Sequence, residues 1–317
     1  MKFALSTNWC NRRLESGEEI ADTALALGFD ELELGFHTTE AQVAGFKARL
    51  DRIRVGSIHA FCPVPISAPQ GYPELYALAS LDEDARALAR FHVTRNVAFA
   101  SEMGARTVVL HAGRVPFATF FNRGFSSATL RQALEDAKGD LADRRYAKLL
   151  AKARTTRRER GLRYLEVFKA ELDRLVPVLE KHGVVLALEN LPYYEGFPDE
   201  EEMTQLAETF KGAPVQAWFD TGHHRVRDRH GWLSADDFQA ARQADGRTVF
   251  RGMHLNDVVD YHDDHLPPGQ GKVDFAALAD LARSVEHVVL EPHSGVSATD
   301  LAQGLAHVRG LWEGGRQ

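Results

Sequence analysis

Three observations predict an α/β fold, a closed (β/α)8 TIM barrel with a partly helical insertion after strand four. Eight short apolar runs recur along the 317 residues, helical patterns alternate with them, and the stretch after the first run, STNWCNRR, has no glycine. Eight strand–helix repeats in a chain of this length suit a closed barrel. An open doubly wound sheet, the alternative, ordinarily places a glycine-rich phosphate loop after its first strand.

The runs are KFALST (2–7), ELELGF (31–36), RVGSIH (54–59), TVVLH (107–111), VVLALE (184–189), VQAWFD (215–220), RGMHLN (251–256) and HVVLE (287–291). Several are unbroken β-branched and leucine stretches, as strands buried on both faces of a parallel sheet should be. The helical patterns include Glu18–Leu27, Asp82–Glu102, Tyr164–Lys181, Glu200–Phe210 and Phe275–Arg283. Ser80 to Glu83 reads as a capping box opening the second of these, and Pro198 suits the start of the fourth. The fourth unit is anomalous. More than seventy residues separate TVVLH from VVLALE, so an insertion of about 114–161 is expected. No linker composition marks a second domain, and 1–317 reads as one barrel domain.

Hydrophobic residues make up 44% and charged residues 26%, the balance of an ordinary globular protein. No apolar run approaches bilayer length, and MKFALSTNWCNRR is too weakly apolar for a signal peptide. Cys10 and Cys62 alone give neither a disulfide framework nor a cysteine-based zinc site, so a cytoplasmic location is the default expectation. The net charge of −7 argues against a nucleic-acid partner. One stretch departs from this balance: Arg144 to Arg163, RRYAKLLAKARTTRRERGLR, is strongly basic. It reads as a solvated helical face. Its place beyond a strand C-terminus predicts either a lid over the barrel mouth or a contact in a homo-oligomer.

Strands three to eight end in His59, His111, Glu189, Asp220, His254 and Glu291. Histidine and acid together are about a fifth of the chain, so six in six is far beyond chance. These ends face one mouth, where active sites of barrels sit. DTGH adds His223 one helical turn after Asp220, and the loop HLNDVVDYHDDHLPPGQG adds Asp263 and His265. One such histidine alone is more often a hydrogen-bonded cap than a ligand. Nine convergent side chains form a divalent-metal site, since buried acids crowded at one rim repel each other without cations. Mn, Zn, Mg or Co would suit, as one ion with side chains left over for substrate, or as two or three ions. Asn190 and Asn256, each beside a ligand, are candidates for orienting hydrogen bonds or for substrate contact. His262, Asp264, His293, His224 and His230 fit no strand end and read as surface or supporting residues.

ALENLP, FDTGHH, MHLNDV, HLPPGQGKVDF and LEP together resemble the xylose isomerase-like barrel superfamily. That superfamily includes sugar phosphate isomerases and epimerases, ketose 3-epimerases, and endonuclease IV with its relatives. The likeness to ketose 3-epimerases implies a one-metal quartet of Glu189, Asp220, His254 and Glu291, with both glutamates moving the proton and His223 holding substrate. Where that branch carries an arginine after the strand-seven histidine, this chain has Asp260. The likeness to endonuclease IV implies all nine positions around three zinc ions. ALSTNWC, however, lacks that branch's histidine-bearing first strand, and its DNA-intercalating loops are not recognisable.

Three functions follow. A sugar or sugar-phosphate isomerase or epimerase would use Glu189 and Glu291 as acid and base around a metal-stabilised enediolate. A multi-metal phosphodiester hydrolase would use Glu189 to bridge ions or orient water. A non-catalytic sugar or metal sensor would not need the full set of acids. Acidic charge and absent DNA-binding loops favour the first, with a small carbohydrate as partner.

Overall fold

The computed structural model describes residues 1–117, 125–235 and 237–313. Eight parallel strands close on themselves in chain order: β1 (Ala4–Ser6), β2 (Glu31–Leu34), β3 (Arg54–His59), β4 (Thr107–Leu110), β5 (Val185–Glu189), β6 (Val215–Asp220), β7 (Phe250–Leu255) and β8 (His287–Leu290). Each lies within an apolar run read from the sequence, apart from Phe250 at the start of β7. The register continues around the ring, with Ala4 opposite both Val289 and Glu31, and Asp220 opposite His254. The fold is the (β/α)8 TIM barrel.

Strand alternation divides each run between two environments. Leu32 and Leu34 of β2 join the large hydrophobic core with Ile20, Phe46, Val97, Leu172 and Leu301 of the surrounding helices. Ala4, Val109, Ala187, Trp218 and Val289 form a separate small plug. Glu33, Ser57 and His254 are also buried, and Glu33 bonds to both of the others. ELELGF reads from the sequence as a short apolar run, yet its acids Glu31 and Glu33 are buried along with its leucines.

The helices are α1 (Gly17–Ala26), α2 (Glu40–Lys47), α3 (Glu83–Glu102), α4 (Ser127–Asp136), α5 (Arg144–His182), α6 (Glu200–Thr209), α7 (Thr221–Arg229), α8 (Ala279–Ser284) and α9 (Ala298–Glu313). Two caps differ from expectation. Asp82, not Ser80, caps α3 by accepting from the Ala85 amide, while the Ser80 hydroxyl accepts from Asp82 N. Asp199 caps α6 in a reciprocal box with Glu202, leaving Pro198 just outside the helix. Helix α8 starts at Ala279, because Phe275 to Leu278 is taken up in turns.

The insertion has no helical boundary at 161. Its second helix runs straight into the helix expected at Tyr164–Lys181, and the 39 residues of α5 form one rod of about 58 Å. Residues 118–124 of the insertion lie outside the described residues. Phe117, Phe125, Leu130, Leu134, Tyr146 and Leu150 build a second hydrophobic cluster with Tyr194 from the loop after β5 and Trp232 from beyond α7. The Tyr146 hydroxyl donates to the His230 carbonyl and accepts from Trp232 Nε1. Arg157 is buried and pairs with Glu202, so the basic stretch is not solvated throughout.

Candidate metal centre

Strand ends fix where the polar side chains meet. His59, Glu189 and Asp220 are the last residues of β3, β5 and β6, His254 is one short of the end of β7, and His111 and Glu291 directly follow β4 and β8. All nine candidates fall into groups whose donor atoms lie within 4.8 Å of one another. Glu189, Asp220, His254 and Glu291 form a quartet; His59 and His111 join Glu189; His223, Asp263 and His265 form a triad; and His59 also groups with His254 and Glu291. His254 Nδ1 is 3.1 Å from Glu189 Oε1, 3.3 Å from Glu291 Oε2 and 3.7 Å from Asp220 Oδ2. His59 Nε2 and His111 Nε2 both lie 3.1 Å from Glu189 Oε2. His223 Nε2 and His265 Nε2 are each 3.3 Å from Asp263 Oδ2.

The aspartate and histidine of DTGH are set by a helix start. Asp220 caps α7, its Oδ1 accepting from His223 N at 2.7 Å, so capping and ligand placement are one constraint. Asn190 brackets the Asp220 backbone, donating to its carbonyl and accepting from its amide. Asn256 Nδ2 donates to Asp220 Oδ2 at 2.7 Å. Both asparagines therefore orient Asp220, and neither lines the cavity. A Cβ on Gly222 would come within 1.7 Å of Asn256 Oδ1, so the first turn of α7 needs glycine there.

The loop from Asp257 onward is built on one carboxylate. Buried Asp257 accepts from the amides of Val258, Gly269, Gly271 and Val273 at 2.8 to 3.0 Å, which folds PPGQG back on the start of the loop. Gly269 at φ +90° supplies the reversal. His265 sits at φ 45°, uncommon for a residue with a Cβ, and its Nδ1 donates to the Glu291 carbonyl at 2.8 Å. A strained backbone held this way is typical of positions where the side chain's direction matters.

Two supporting residues escaped the sequence reading. His254 Nε2 donates to Glu33 Oε1 at 3.0 Å, while Nδ1 faces the quartet; a carboxylate behind a ligating imidazole fixes its tautomer and its ring. The signal was present in ELEL, where an acid alternates with leucine on a strand covered from both sides. Asn8 Nδ2 donates to Glu291 Oε1 at 3.0 Å, leaving Oε2 toward His254; nothing in ALSTNWC marks it. Of the five residues set aside, His262 is exposed and near Glu135, and Asp264 accepts from Val259 N. His230 is a correction, because it is buried and stacked on Trp232.

The acids are balanced by imidazolium protons. Burial opposes charge on His111 and His223, yet Glu189 and Glu74 carry the first up to about 9, and Asp220 and Asp263 carry the second up to about 10. His254 is held well above the ordinary range by Glu291, Glu33 and Glu189 against the same burial. Burial raises Asp220, with Glu189 adding to it, whereas Glu189 is held well below its ordinary value by His254 and His111 despite burial. Protons stand where cations would bind. Imidazole nitrogens and carboxylate oxygens grouped at this spacing fit a divalent ion chemically.

A cavity of about 110 Å³ opens on this cluster, walled by Phe36, Tyr72, Glu74 and Tyr193 beside the ligands. Among the described residues of the insertion, none lines it.

The family model of the xylose isomerase-like TIM barrel matches residues 21–310. The chain belongs to that family. Among solved structures, a 3-keto-D-glucoside 4-epimerase from E. coli aligns at 18% identity over 98% of this chain and 99% of that one, TM-score 0.67. A D-tagatose 3-epimerase-like protein aligns at 17% identity over 99% and 97%, TM-score 0.65. A Thermus thermophilus protein soaked with zinc chloride aligns at 23% identity over the full length of both, TM-score 0.61. At these identities the likeness is one of fold. No curated protein matches the chain.

Proposed function

We propose that the chain is a divalent-metal-dependent sugar isomerase or epimerase. The observation that carries this reading is the quartet: Glu189 and Glu291 stand three strands apart in the ring, with Asp220 and His254 between them, beside one small cavity. Family membership and the epimerase names of the fold neighbours agree with it. Glu189, Asp220, His254 and Glu291 would hold the ion, whose chemistry is polarisation of a carbonyl and adjacent hydroxyl. The chain's own groups do the rest. Glu189 would serve as the carboxylate that takes a proton from the carbon beside the carbonyl. Glu291, steadied through Oε1 by Asn8, presents Oε2 to return a proton from the other side. His223 lines the cavity and would hold a substrate hydroxyl.

The test is solvent exchange. Protein loaded with Mn²⁺ and incubated with free ketopentoses and ketohexoses in deuterium oxide is expected to introduce deuterium beside the carbonyl of at least one. Absence of exchange across the panel contradicts the proposal.

The donor groups outside the quartet favour a second reading, a multi-metal phosphodiester hydrolase. The triad of His223, Asp263 and His265 and the pair His59 and His111 could complete two further sites. Metal count separates the readings, one ion per chain for the isomerase and two or three for the hydrolase.

A further inference from the structure

Beside the candidate ligands, the cavity wall carries Glu74, which is not one of the nine; its Oε1 is 3.7 Å from His111 Nδ1, and its shorter contacts are to an arginine behind the wall. Glu74 lines the cavity, and Arg114 holds it in a fork, Nε at 2.6 Å from Oε2 and Nη2 at 3.0 Å from Oε1. The Arg114 guanidinium lies over the Tyr193 ring, 3.7 Å from its centre, and Tyr193 is itself a wall residue. Two arginine nitrogens and one of its faces are therefore committed. The wall is otherwise carboxylate, imidazole, proline and aromatic ring, and among the described residues no lysine or arginine lines it. Arginine is the side chain best suited to a phosphate fork, and here a glutamate occupies that fork.

We propose that Glu74, clamped by Arg114 against Tyr193, is a specificity-determining residue that restricts the site to uncharged polyhydroxyl compounds and turns away sugar phosphates. This rests on the isomerase reading and names its substrate class. The Glu74 carboxylate accepts hydrogen bonds from hydroxyl groups and repels a phosphate dianion, and Tyr72 and Tyr193 line the same wall. Arg114 acts as a positioning residue, since its fork is filled.

Binding, not turnover, tests this. Calorimetry on Mn²⁺-loaded protein would compare xylitol with inorganic phosphate for the wild type, Glu74→Gln, and Glu74→Gln combined with Arg114→Gln. The wild type is expected to bind xylitol at least tenfold more tightly than phosphate. Glu74→Gln frees the fork and removes the repelling charge, and should tighten phosphate at least tenfold; the double variant should lose most of that gain. Wild-type preference for phosphate, or a Glu74→Gln protein with unchanged phosphate affinity, overturns the proposal. Glu74→Asp, which keeps the charge and shortens the arm, is expected to keep the wild-type order, and preference for phosphate there would also overturn it. The isomerase reading fails separately, through absent deuterium exchange.

Discussion

The barrel mouth and the inserted segment occupy neighbouring parts of the molecule and are built on opposite principles. The mouth buries acids and imidazoles whose charges offset one another, an arrangement that also suits cation binding. The insertion buries phenyl, leucyl and tyrosyl groups around Tyr146 and Trp232, and its described residues buttress the loops that carry Tyr194 and Tyr261. One region gathers the candidate ligands and the other packs against two of the loops around them. Substitutions should therefore divide cleanly, with chemistry lost at the mouth and stability lost in the insertion.

The largest expected effect is at the two glutamates. Glu189→Gln or Glu291→Gln should lower turnover on an exchanged ketose by roughly 10²- to 10⁴-fold with the far-ultraviolet circular dichroism of the wild type. Near-normal activity in either variant removes its acid–base role. In the insertion, Leu134→Ala opens a cavity in a fully buried position and should cost about 2–5 kcal/mol in denaturant unfolding. Its metal content should stay unchanged; a loss of bound metal would mean the two regions are not separable in this way.

A finer division is expected inside the mouth. Replacing Asp263 and His265 together by alanine should raise the substrate concentration needed and leave the metal count alone if the quartet holds the single ion. A drop of one ion or more assigns the triad to metal and moves the chemistry toward the hydrolase.

The smallest expected effect is in pH dependence. In metal-free protein His111 and His223 have folded pKa values raised to about 9 and about 10. Their contribution to stability is complete below the ordinary imidazole value of about 6.5 and is lost as pH rises through those two values. The melting temperature of metal-free protein should fall between about pH 6.5 and about pH 10, whereas metal-loaded protein, with neutral imidazoles, should not show that component. Parallel curves would mean that these histidines are not protonated partners of the acids.

The strands were legible because a barrel strand covered on both sides leaves an apolar run, and the convergence of the nine polar side chains because residues at strand C-termini share one rim. Glu33 was hidden by that same rule, since an acid inside an apolar run contradicts the pattern that identifies the strand. Asn8 and the Glu74–Arg114 pair depend on contacts 283 and 40 residues apart in sequence, which no local spacing encodes. The continuity of α5 was masked by composition. Its basic half and its amphipathic half look like different elements, although nothing between Arg158 and Leu165 breaks a helix strongly except Gly161, where Arg157 and Glu202 pack close.

Metal content tests the central claim most directly. Protein purified without chelator and analysed by inductively coupled plasma mass spectrometry should contain one divalent ion per chain, and Asp220→Asn should greatly reduce it. Two or three ions per chain in the wild type, or an Asp220→Asn protein that retains its full complement, would contradict the single-ion quartet on which the isomerase reading stands.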